Sequence, residues 1–261
     1  MMAWRAEARR MRAAGPRRNR PPGRRGGGRS LLRLASLALV GVGLGACGSI
    51  IGGPPPQVYS LSPKSSFGTA LPTIGERAQL VVEQPETAGG LNTTRIAVKP
   101  KPLQLDYYAG ARWTERAPLM VQTLLLESFE NTGKIISVGR EALGLRPDFV
   151  LRGDLREFQA QYYEVDGREA AIPHILVQFN AKLIEQPEER IFDSRNFESC
   201  VRADSAAIED VIRAFDVALG DVMKDAVQWS LREIAGRGPF RALRDAPDAV
   251  RAGGGNGCRP G

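Results

Sequence analysis

His174–Glu185 reads HILVQFNAKLIE, and its alternation decides the architecture. Ile175, Val177, Phe179, Ala181 and Leu183 fall at every second position with largely polar partners between them, the pattern of a strand with one buried and one wet face. Upstream, Asp148–Tyr163 carries Phe149, Leu151, Leu155 and Phe158 spaced mostly by two, with Gly153 expected to mark a bulge. Downstream, Arg190–Val201 is again strand-like. The turns Asp166-Gly167 and Gln186-Pro187 join these runs into an expected antiparallel meander.

Shorter strands precede the meander at Gln57–Leu61, Gln79–Glu83, Thr94–Lys99 and Lys134–Val138, and Pro85 and Pro100 end the second and third of them. Thr114–Asn131 changes period to that of a helix, with Thr114 as its expected cap, Pro118 in the first turn and Gly133 at the close. Met120, Val121, Leu124, Leu125 and Leu126 make that helix apolar over most of its circumference, so it is buried or faces a partner. The clearest element follows the meander: Ile208, Val211, Ile212, Phe215, Ala218, Leu219, Val222, Ala226 and Trp229 recur at three and four residues. Ser205 is expected to cap this long amphipathic helix and Gly236 to end it; some 30 residues would span roughly 45 Å. The whole reads as one α/β domain over 57–236, a two-layer sandwich whose mixed or mainly antiparallel sheet is covered by two main helices.

Charge and cysteines say where such a domain works. The 261 residues are 43% hydrophobic and carry a formal charge of +7. The positive charge is concentrated in residues 1–33, where eleven arginines face one acid, Glu7, and the remainder is net acidic. A nucleic-acid partner is therefore not expected of the folded part. The arginine-rich leader runs into LLRLASLALVGVGLGA (residues 31–46), too short and too rich in Gly and Ala for a transmembrane helix, which needs about 20 apolar residues. Basic region, short apolar run and small residues are the parts of a secretory signal. Leu44-Gly45-Ala46-Cys47 resembles the lipobox of bacterial lipoproteins, with the Cys47 thiol as the acceptor of diacylglycerol. Cleavage before Cys47 would leave a Gly/Pro tether (47–56), the domain, and a Gly-, Pro- and Arg-rich tail (237–261) expected to be disordered. Of the other cysteines, Cys200 lies in a strand, where a small core-facing side chain is the plain reading, and Cys258 lies in the tail; an oxidising compartment would permit a bond between them.

Catalytic machinery is not in evidence. His174, the one histidine, has no second His or paired cysteines near it in sequence, so an ordinary strand residue is favoured over a metal ligand or base. No G-x-S-x-G, P-loop or dinucleotide fingerprint occurs, and neither a cofactor nor a metal is expected. The segment Asp106–Glu115 (DYYAGARWTE) invites a functional reading instead: it places Tyr107, Tyr108, Arg112 and Trp113 in an expected loop before the buried helix, and these residue types dominate interface hot spots. The competing reading has Trp113 and one tyrosine stapling the loop to the core.

Tyr59-Ser60-Leu61 after the tether, the Tyr107 and Arg112-Trp113 segment leading into the Pro118-Leu119 helix, and the strand with Asp154 and Phe158 resemble the ABC-type transport auxiliary lipoprotein family over about residues 57–232. The long leader and the C-terminal tail depart from the family pattern. The resemblance implies a non-enzymatic, periplasm-facing lipoprotein of the outer membrane, inner-membrane retention being the other destination. It would work with an ABC transporter and its MCE-domain protein in lipid transport, with a homo-oligomeric ring as the implied assembly. An envelope-assembly lipoprotein serving cell wall or secretion system is the alternative.

Overall fold

A computed structural model of the chain describes residues 55–68, 70–74, 78–140, 146–165 and 168–237. The expected signal peptide, Cys47, most of the tether, the Asp166-Gly167 turn and the tail from 238 onward lie outside the described residues.

The elements, in chain order, are β1 (Gln57–Tyr59), β2 (Gln79–Val82), β3 (Glu86–Thr87), β4 (Arg95–Lys99), β5 (Asp106–Trp113), α1 (Ala117–Thr132), β6 (Ser137–Gly139), β7 (Phe149–Gln161), β8 (Glu164–Val165), β9 (Arg168–Glu169), β10 (His174–Glu185), β11 (Arg190–Arg202) and α2 (Ile208–Ala235). The main sheet runs β1-β5-β4-β7-β10-β11, and β8 and β9 form a separate small hairpin. β7, β10 and β11 are the expected antiparallel meander. The other edge of β7 is shared in succession by three short strands, all parallel to it: Leu80 pairs with Phe149 on β2, Glu86 with Asp154 on β3, and Val98 with Ala160 on β4. The sheet is mixed, and Pro85 and Pro100 fall where the chain leaves β7 because proline cannot donate to the ladder.

Alternation on β10 sorts as its composition requires. Ile175, Val177, Phe179, Ala181 and Leu183 are all buried, packed in the core that both helices close. α2 contributes Val211, Phe215, Ala218, Leu219, Val222, Ala226 and Trp229 to that core, and α1 contributes Met120, Val121, Leu124, Leu125 and Phe129. The Trp229 indole N–H, at the β11 side, donates to Asp193 at 2.8 Å, so its one polar atom is satisfied. The irregular stretch before β2 is tied across the helices: Ser62 N–H donates to Asp216 on α2 at 2.6 Å, and Lys64 N–H to Ser128 Oγ on α1 at 2.9 Å.

Four local expectations are corrected. The α1 helix starts at Ala117 with Arg116 at the cap, without a side-chain cap bond from Thr114; Pro118 near its start and Gly133 at φ 61° close the rest as expected. Ser205 stands outside α2, accepting from Ala207 N–H at 3.0 Å and donating to Asp210 at 2.5 Å, so it shapes the turn that leads in. The bulge of β7 is at Arg156, where the register against Gln178 and Phe179 shifts, not at Gly153. Gly153 has a different cause: a Cβ there would lie 2.3 Å from two carbons of the Phe179 ring, which rests on the bare backbone. Finally, Cys200 is half-buried and paired with Leu176 on the face away from the helices, and it is disulfide-bonded.

Candidate docking edge

Asp106–Trp113 is a strand, not the loop its composition suggested. Its alternation is broken by a wide irregularity. Arg112 opposes Arg95 and Tyr107 opposes Ala97 on β4, so four residues of β5, Tyr108–Ala111, stand against the single residue Ile96. Gly110, at φ 71°, takes the left-handed conformation this bulge needs. The C-terminal end of the segment is held by two backbone bonds: Trp113 N–H donates to Thr94 O at 2.7 Å and Thr114 N–H to Tyr59 O at 2.9 Å.

The four residues singled out in this segment separate by depth. Trp113 is 1% exposed; it meets Phe215 edge-on at 5.2 Å between centroids and Phe158 at 5.7 Å, so it staples the strand to the helix layer. Tyr107 is half-buried, donates its hydroxyl to Gly90 O at 3.0 Å, and lies under the Arg95 guanidinium, 3.5 Å from the ring centroid. Tyr108 is half-buried, and burial, followed by the neighbouring Tyr162, pushes its hydroxyl pKa well above the ordinary tyrosine value; it stays neutral in any physiological medium. Arg112 is exposed, paired in register with Arg95 on one side and with Val58 of β1 on the other.

The surface at this edge is therefore Arg112, Arg95 over Tyr107, and Val58, itself 49% exposed. It brings together two guanidinium groups, that of Arg95 stacked on the Tyr107 ring, and one apolar side chain from three adjacent strands, a mixture of residue types that interfaces favour. Arg95 and Val58 were not legible as members, because only the register brings them beside Arg112.

The polar face of the sheet is different in kind. Lys99 pairs with Glu157 at 2.7 Å, Arg152 with Glu83 at 2.6 Å, and Asn180 donates to Asn196 at 2.7 Å. His174 sits at the start of β10 with its ring edge-on to Tyr163 at 5.1 Å, and burial, then Arg202, lowers its pKa. Among the described residues no three or more His, Cys, Asp or Glu side chains are placed to hold a metal ion, and no helix is long and apolar enough to cross a membrane.

Comparison with known proteins agrees with this architecture. A crystal structure of a Xanthomonas campestris protein superposes with a TM-score of 0.62 at 30% identity, covering 67% of this chain and 95% of that one. A second solved structure, at 14% identity, shares the fold with a TM-score of 0.51 and covers 69% of this chain and 99% of its own. A Bradyrhizobium diazoefficiens protein is 25% identical over 182 residues, which are 69% of this chain; the chain thus spans about half the length of that curated relative, 47%. The family model for the ABC-type transport auxiliary lipoprotein component matches residues 59–227, from the end of β1 to the last turns of α2, and the chain belongs to that family.

Proposed function

We propose that this protein is a non-enzymatic subunit of an ABC/MCE-type lipid transport system, docking on the MCE-domain protein in the periplasm. In this reading the signal peptide (1–46) is removed, Cys47 carries the acyl chains, palmitate among them, and the protein is anchored in the outer membrane. The tether (47–56) holds the α/β domain (57–236) clear of the bilayer. Two or three acyl chains suffice for that anchoring, since each buried methylene contributes about 0.8 kcal/mol. Family membership supports the transport role, and the composition of residues 31–47 supports the anchor.

The docking surface is the β1–β5–β4 side of the sheet, with Tyr107 and Arg112 as contacts, Tyr108 half-buried behind them and Trp113 as the buried anchor. One observation carries this assignment: Arg112 and the Arg95–Tyr107 stack are presented on a strand whose last residue is fixed in the core, so binding immobilises little that is not already ordered. The test is recovery of partners from native membranes solubilised with the protein tagged. Wild type is expected to bring down an MCE-domain protein and Arg112→Glu to bring down much less of it, with the protein still folded. Recovery of cell-wall or secretion components alone would overturn the proposal in favour of an assembly role.

A further inference from the structure

The turn between β4 and β5 presents its apolar side chains to water. Lys101 O accepts from Gln104 N–H at 3.2 Å, closing a turn with Pro102 and Leu103 at its centre. Leu103 has φ 66°, a conformation that glycine or asparagine adopts at this turn position without strain and leucine does not. Its side chain is fully exposed, at 106% of the reference value, and Leu105 beside it is 40% exposed. A strained backbone that holds an aliphatic side chain out in solvent gains nothing from the protein's own packing, which directs attention to a ligand.

The sheet register says where this tip points. β1 runs parallel to β5, and Val58 is level with Arg112, which is level with Arg95. From Arg95, β4 continues four residues to Lys99, about 13 Å at strand rise, before the turn begins. The chain enters β1 from that same direction. The tether therefore leaves the domain at the end of the sheet that carries the Leu103 turn. Ten residue steps separate Cys47 from Gln57, a reach of at most about 36 Å. Exposed Ile191, by contrast, sits at the far end of β11, beside the start of β7.

We propose that the β4–β5 turn is a second membrane contact: Leu103, with Leu105 behind it, enters the headgroup–acyl boundary of the bilayer that holds Cys47, and Lys101 stays among the headgroups. This rests on the lipid-anchor reading above and adds to it an orientation, with the β4–β5 end of the sheet facing the membrane. A shallow insertion of about 5–10 Å is the depth at which such side chains bury their surface.

The experiment uses the full mature lipoprotein, reconstituted into phosphatidylethanolamine/phosphatidylglycerol vesicles that contain a lipid brominated near the glycerol end of its chain. Leu103→Trp and Ile191→Trp are compared with the parent, whose core tryptophans Trp113 and Trp229 are 1% and 2% exposed and supply a constant background. The added tryptophan at 103 is expected to be quenched several-fold more than that at 191, with emission shifted to the blue. Equal, weak quenching at both positions in protein that floats with the vesicles would overturn the turn contact and leave the anchor standing. Quenching at 191 alone would reverse the orientation and overturn it too. Protein that does not float would remove the anchor itself, and with it the bilayer the turn is proposed to enter.

Discussion

Gly153→Ala isolates the closest approach in the sheet. The added Cβ would stand 2.3 Å from the Phe179 Cε2 and Cζ atoms, whereas carbon atoms in contact prefer about 3.5–4.0 Å. The ring must retreat by more than 1 Å or the two strands must part, and Phe179 is 2% exposed within the core. Overpacking of this kind costs about 1–3 kcal/mol. Replacing glycine in a strand interior recovers roughly 0.5–1 kcal/mol, so a net loss of about 0.5–2 kcal/mol is expected. With a urea dependence of about 1–3 kcal/mol per molar, the unfolding midpoint should fall by several tenths of a molar or more. In a Phe179→Leu background the steric cause is gone, and the same Gly153→Ala change should be neutral or stabilising, a coupling of about 1–2 kcal/mol. A raised midpoint for Gly153→Ala in the otherwise wild-type protein would refute the reasoning.

Trp113→Ala removes a buried indole that two aromatic rings pack against, and should lower stability by about 3–5 kcal/mol in the same urea titration; a loss below 1 kcal/mol would show that Trp113 is not the staple. Arg112→Glu alters an exposed side chain and should leave the unfolding free energy within about 0.5 kcal/mol of wild type while depleting the co-purified partner. For His174, burial and then Arg202 put the folded-state pKa below the ordinary imidazole value of about 6.5, so the unfolded chain takes up the proton first. Its contribution is thus complete above 6.5 and declines as pH falls through 6.5 towards the lower folded-state pKa. His174→Asn should flatten the change in thermal midpoint over roughly pH 5–7, and an unchanged slope would contradict the assignment.

The elements that sequence alone located are those whose periodicity extends over many residues. β10 was legible from end to end, β7 and β11 to within two residues at each boundary, and α2 through its Ile208–Trp229 repeat, because a long alternation or a long 3.6-residue stripe leaves no second way to bury the same side chains. What escaped depends on pairing. β5 reads as a loop in sequence because its bulge at Tyr108–Ala111 breaks the alternation over half its length. The succession of β2, β3 and β4 along β7 is parallel and long-range, and nothing local to any of the three encodes it. Gly153 carried the right clue to an irregular contact but the wrong cause, since Phe179 lies 26 residues away in sequence and reaches it only across the sheet. The candidate site was legible in the same measure: Tyr107, Tyr108, Arg112 and Trp113 stood out by residue type, but their depths, and the membership of Arg95 and Val58, required the register.

The proposed transport role turns on docking of the β1–β5–β4 side of the sheet on an MCE-domain protein. It is tested most directly by placing a photoreactive amino acid at position 112 in the native host, with position 217, an exposed site on α2, as the control. A crosslinked adduct is expected from 112, identified by mass spectrometry as an MCE-domain protein, and none from 217. Adducts from 112 that contain only cell-wall or secretion proteins, or no adduct at all from protein that is lipidated and folded, would contradict it.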